Sequence, residues 1–108
     1  MAVIDDLIHR RAREAVKVVA RQAHVRAAYL FGSHVEGTAD RFSDIDIAAF
    51  VEGADQWDIR RRARAAVEAQ KQVGSDIELH VFPAELLENP PAASFAAYIQ
   101  THGVPVEI

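Results

Sequence analysis

Two carboxylates, Asp44 and Asp46, stand two residues apart in the apolar run DIDIAAFV, and their spacing is the first chemical signal in the chain. If 44–51 is a strand, the pair projects from one face, about 7 Å apart at the backbone for a rise of about 3.3 Å per residue. Like charges on an apolar strand repel and cost desolvation, and a divalent cation removes both penalties. Oxygen ligands suit Mg²⁺ or Mn²⁺. Taken alone, an Asp-x-Asp pair fits a solvated strand edge as well as a metal site.

The segment upstream changes that balance. VRAAYLF ends in Gly32-Ser33, with Gly37 and Ser43 following. A glycine after a strand lets backbone approach a ligand closely, and successive N–H groups there form an anion-binding concavity. Ser33 adds a hydroxyl, and Ser43 directly precedes the acid pair. Phosphate-binding groups beside metal-binding carboxylates are the equipment for moving a nucleotidyl group from a metal-bound triphosphate. A third acid comes from DIELHVF, where period-2 spacing puts Asp76, Glu78 and His80 on one face.

The pattern Gly32-Ser33, Gly37, Ser43-Asp44-Ile45-Asp46 resembles the signature of the nucleotidyltransferase superfamily that includes DNA polymerase β and kanamycin nucleotidyltransferase. At this length the chain is most similar to the minimal nucleotidyltransferases (MNT), which are commonly paired with HEPN proteins. The resemblance implies Asp44, Asp46 and a third carboxylate as catalytic and metal-holding residues, with Gly32, Ser33 and Ser43 at the nucleotide. Glu78, between Ile77 and Leu79, matches the family's apolar-acid-apolar pattern. Asp76, nearer the strand start, is expected to cap or face water. The resemblance further implies ATP as substrate, Mg²⁺ or Mn²⁺ as cofactor, and transfer of AMP to a tyrosine of a HEPN-type ribonuclease toxin, making the chain an antitoxin. One departure stands out: Glu36 occupies a position where many members carry Arg. It favours a second reading, a degenerate module that neutralises a HEPN partner by contact. A third reading is nucleotidyl transfer to a small molecule.

The positioning elements follow from periodicity. Ile4, Leu7, Ile8, Ala12, Ala15, Val16 and Val19 recur at helical spacing within 3–24. Residues 25–31 read as a buried strand, 32–43 as a loop with room for one helical turn, and 44–51 as a second strand. Asp55 is expected to cap a helix over 56–72, whose apolar stripe holds Trp57, Ile59, Ala63, Ala66 and Val67. Arg60, Arg61, Arg62 and Arg64 read as its solvated face. A third strand covers 76–82. Asn89-Pro90-Pro91 signals a helix over 92–101, Gly103 its C-cap, and the tail an edge strand. The helix between the second and third strands allows them to run parallel, while the short connection between the first two suits antiparallel pairing. The fold class is therefore α+β: a small mixed sheet packed with helices.

With 108 residues, the sequence reads as a single domain over 1–108, small enough that a homodimer or hetero-oligomer contact would add stability. The net charge of −4 gives no global attraction to nucleic acid or an acidic membrane. Ten of the twelve cationic residues are Arg. The absence of cysteine excludes thiolate chemistry. The first helix is too charged for a signal peptide or membrane span, which leads to the expectation of a cytoplasmic protein. His34 and His80 can border the site; His9, His24 and His102 are expected at the surface, and Trp57 and Tyr98 in the packing.

Overall fold

A computed structural model describes residues 4–108. Among these, α1 (Asp6–Ala20) begins where Asp5 accepts a hydrogen bond from the Leu7 N–H. It buries Ala12, Ala15, Val16, Val18 and Val19. The expected stripe holds: Ile4 and Ile8 pack partly buried against the same core, and only Leu7, 53% exposed, stands outside it. The expected start at Val3 lies outside the described residues. The helix ends at Ala20, four residues before the expected His24.

Strand β1 (Val25–Phe31) has the expected bounds, because an apolar run closed by Gly32 leaves little ambiguity. One helical turn, α2 (Ser33–Glu36), follows it, between Gly32 and the left-handed Gly37. Strand β2 (Ile45–Val51) begins one residue later than expected, where the Ile45 N–H bonds to the Asp76 carbonyl at 2.7 Å.

Asp58, not Asp55, caps α3 (Ile59–Gln72): its carboxylate accepts from the Arg61 N–H at 2.8 Å. Asp55 lies instead in a 3-10 turn over Ala54–Gln56. Of the expected stripe, Trp57 is buried before the helix, while Ile59 is 82% and Val67 47% exposed; Ala65 and Ala69 carry the contact. Strand β3 (Ile77–Pro83) leads into a 3-10 turn over Ala84–Leu87. Helix α4 (Phe95–His102) starts later than the proline signal suggests, because Ser94 supplies the cap, accepting from the Ala97 N–H at 3.1 Å. Gly103 ends it in extended backbone, and the short β4 (Val104–Pro105) pairs with β1.

The sheet order is β3-β2-β1-β4, with β1 antiparallel to both β2 and β4 and β2 parallel to β3. This is the mixed α+β architecture the periodicity implies. One face packs on α1 and α3 through Ile45, Ile47, Ala49, Val51, Ile77, Leu79 and Val81. The other carries Phe31, Ala48 and Phe50 against Ala96 and Ile99 of α4. Among the described residues, no helix is long and apolar enough to cross a membrane.

Candidate active site

The parallel register sets Asp46 beside Glu78 and Ala48 beside His80. Alternation turns Asp46, Glu78 and His80 away from the α1/α3 core, onto the face that α4 covers only in part. One ligand atom from each of the three lies within 4.8 Å of the others. Nε2 of His80 stands 4.0 Å from Oδ1 of Asp46. Phe31 and Phe95 flank that imidazole, with ring centroids at 5.3 and 6.4 Å.

Gly32 forms the opposite wall. Its φ of 81° lies in the region that glycine tolerates, and a Cβ there would collide with Oδ2 of Asp46. The strand-end glycine and the second acid of Asp-x-Asp are therefore in direct apposition. In α2, which begins at Ser33, the Val35 and Glu36 N–H groups donate to the Gly32 carbonyl at 3.0 Å, while those of Ser33 and His34 precede the first intrahelical bond.

Burial is the main cause that pushes Asp46 up to about 7, followed by its hydrogen bond to and repulsion from Glu78, then by Asp44. The two neighbouring carboxyls share a site that cannot hold two charges cheaply. This donor set fits a hard or borderline divalent cation: a half-buried carboxylate, an exposed one and an imidazole converge, and among the described residues no Lys or Arg pairs with them.

The remaining expected site residues are distributed around this centre. Asp44 is exposed and precedes the β2 ladder, yet is close enough to act on Asp46. Ser33 is half-buried at the start of α2. Ser43 closes a turn with Asp40, its hydroxyl accepting from the Asp40 N–H at 2.9 Å. Asp76 is held by Arg11, with Nη1 donating to Oδ2 at 2.7 Å, and this pairing depresses its pKa. That engagement replaces the expected cap or open solvation. Glu36 is exposed at the last position of α2, where its N–H donates to the Gly32 carbonyl at 3.0 Å. His34 turns toward the first helix, lining a cavity of about 410 Å³ with Ile4, Asp5 and Ile8. Its Nε2 is buried without a hydrogen bond among the described residues. The flanking rings Phe31 and Phe95 gave no sequence signal, because they come from different elements.

The Arg run of α3 divides. Arg60 and Arg64 are exposed as expected, but Arg61 stacks on Trp57, its guanidinium carbon 4.1 Å from the ring centroid. Arg62 donates from Nη1 to the Val81 carbonyl at 2.7 Å and from Nη2 to the Ala54 carbonyl at 2.6 Å.

Residues 13–88 match the family model described as polymerase beta, nucleotidyltransferase. The chain belongs to this nucleotidyltransferase family. The matched span holds the glycine wall and the acids of both β2 and β3. Among solved structures, it is similar to a toxin–antitoxin crystal structure with AMP-PNP: 28% identity, a TM-score of 0.63, and coverage of 89% of this chain and 72% of that one. A nucleotidyltransferase candidate from Sulfolobus solfataricus shares the fold at 20% identity and a TM-score of 0.59, covering 76% and 72% of the two chains. A comparison with curated proteins gives no match. Within the nucleotidyltransferase family, the fold expected from the Gly-Ser and Asp-x-Asp pattern is the fold observed.

Proposed function

We propose that this chain is a cytoplasmic, metal-dependent nucleotidyltransferase that moves AMP from ATP to a tyrosine hydroxyl of a HEPN-type ribonuclease partner and so silences it. The observation that carries the reading is the apposition of Gly32 to Asp46 with Glu78 alongside. A phosphate wall and paired carboxylates within one side-chain length are what nucleotidyl transfer needs. Family membership and the relative solved with AMP-PNP support the reaction class; that relative, a toxin–antitoxin structure, supports the partner.

In this reading Asp44, Asp46 and Glu78 hold Mg²⁺ or Mn²⁺. The ion, when bound, polarises phosphoryl oxygens and lowers the pKa of an acceptor hydroxyl. The Ser33 hydroxyl and the first N–H groups of α2 bind phosphate oxygens. Gly32 excludes bulk that would hold the triphosphate away from Asp46. Glu78, exposed beside Asp46, takes the acceptor proton as the acceptor oxygen bonds to the α-phosphorus and the bond to pyrophosphate breaks. Ser43 serves by fixing the turn that presents Asp44.

Glu36 favours the second reading, in which the fold neutralises its partner by contact. Its exposed position lets water screen its charge from a triphosphate, which weighs toward catalysis. Mass measurement of the partner after incubation with ATP and Mg²⁺ separates the two. An added AMP that disappears with Asp46→Asn supports the enzyme. Inhibition with no mass change, retained in Asp46→Asn, establishes the binding module.

A further inference from the structure

We propose that His80 is a metal ligand of this site and biases it toward Mn²⁺ and its first-row neighbours over Mg²⁺. The inference rests on the nucleotidyltransferase reading and adds a nitrogen donor to a site otherwise built from carboxylates. His80 follows Glu78 by two residues on β3, so the strand's own period delivers it to the same face. Its Nε2 is 4.0 Å from Asp46 Oδ1, and a ring nitrogen lies within 4.8 Å of the Glu78 carboxylate. Ligands about 2.1 Å from an octahedral ion stand about 3–4 Å apart, so side-chain torsions alone can close the set. Phe31, tilted 56° to the imidazole, and Phe95, nearly perpendicular to it, brace the ring in this pose.

Nitrogen in the donor set changes which ion is preferred. Mg²⁺ is bound through oxygen and keeps its waters, whereas imidazole suits first-row transition metals. A chain with carboxylates alone leaves the choice to availability; His80 adds an interaction that Mg²⁺ uses poorly.

The test is calorimetric titration of Mn²⁺ and of Mg²⁺ into the full chain without nucleotide, for the parent, His80→Ala, His80→Gln and Asp46→Asn. His80→Ala should weaken Mn²⁺ binding about tenfold, roughly 1.4 kcal/mol, and Mg²⁺ binding much less, so that the preference collapses. Spin-echo spectra of bound Mn²⁺ should show nitrogen modulation in the parent and none in His80→Ala. His80→Gln keeps bulk against Phe31 and Phe95 and should also lose the nitrogen signal while remaining folded. An unchanged Mn²⁺/Mg²⁺ ratio in both His80 variants, or nitrogen modulation that persists, overturns the proposal. If Asp46→Asn weakens both metals while the His80 variants do nothing, the carboxylate site stands and only the histidine role falls. If Asp46→Asn also leaves both affinities unchanged, the functional reading falls with it.

Discussion

The two faces of β2 and β3 are written in alternate residues of the same segments, yet they obey different physics. Toward α1 and α3, Ile45, Ile47, Ile77 and Leu79 are almost wholly removed from water. Toward α4, Asp46, Glu78 and His80 interrupt the apolar surface, which resumes only at Ala48 and Phe50. Burial on the first face drives folding. The second face surrenders part of that stabilisation, and the raised pKa of Asp46 is the sign of the cost. One face should therefore respond to mutation in stability, the other in chemistry.

The strongest contrast is expected at adjacent positions. Asp46→Asn should reduce nucleotidyl transfer about 10³-fold, equivalent to about 4 kcal/mol of barrier, while leaving the chain folded. Ile47→Ala should instead cost about 2–5 kcal/mol of stability, read by urea denaturation, with per-molecule activity retained in whatever stays folded. If Ile47→Ala destroys activity at full stability, the division between faces is wrong.

Gly32→Val probes the contact between loop and acid. Positive φ and the collision with Asp46 both oppose it. ATP affinity measured with Mg²⁺ should fall at least tenfold, since one lost hydrogen bond to a charged group is worth about 1.5–3 kcal/mol. Ser33→Ala should fall less. Parent-like binding by both variants removes the loop from the site.

A smaller effect is expected in stability against pH. Asp46 titrates near 7 in the folded protein against an ordinary 3.8, so the native state keeps a proton that the unfolded chain has released. Metal-free stability should fall as pH rises from about 4 to about 7 and then level. Asp46→Asn should flatten that slope and raise the melting temperature at pH 8 by about 4–8 °C, the equivalent of 1 kcal/mol in a small domain. Asp76 works in the opposite sense: its depressed pKa contributes stability that is lost only as pH falls below about 4. A rising slope between pH 4 and 7 contradicts the assignment to Asp46.

The smallest effect belongs to Asp76→Asn. Only a partly exposed pairing with Arg11 is lost, so stability should drop by about 1 kcal/mol or less and transfer should be nearly unchanged. A dead Asp76→Asn with an active Glu78→Gln transfers the third carboxylate to Asp76.

Much of this architecture was legible because apolar runs and alternation report burial directly. The bounds of β1, the mixed pairing, and the shared face of Glu78 and His80 all follow from spacing. The caps did not, because Asp55 and Asp58 are equivalent as residue types and only the chain's path decides which one meets a free N–H. Asn89-Pro90-Pro91 misplaced α4 for a related reason: proline permits a helix start, but Ser94 provides the acceptor. Nor does local spacing show that Arg11 engages Asp76 across 65 residues, or that Phe95 comes to rest against His80. Those contacts depend on how α1 and α4 dock.

The fork of Arg62 also governs how other molecules can meet the sheet. β3 is an outer strand, and such strands ordinarily offer carbonyls on which a foreign chain can template. Here Arg62 occupies the Val81 carbonyl and Gln70 the Ile77 carbonyl. The sheet is terminated from within at both points. Strand addition there would have to displace both side chains, so the flank of the acids is poorly suited to templating, while the face beside them stays open around the half-exposed ring of Phe95.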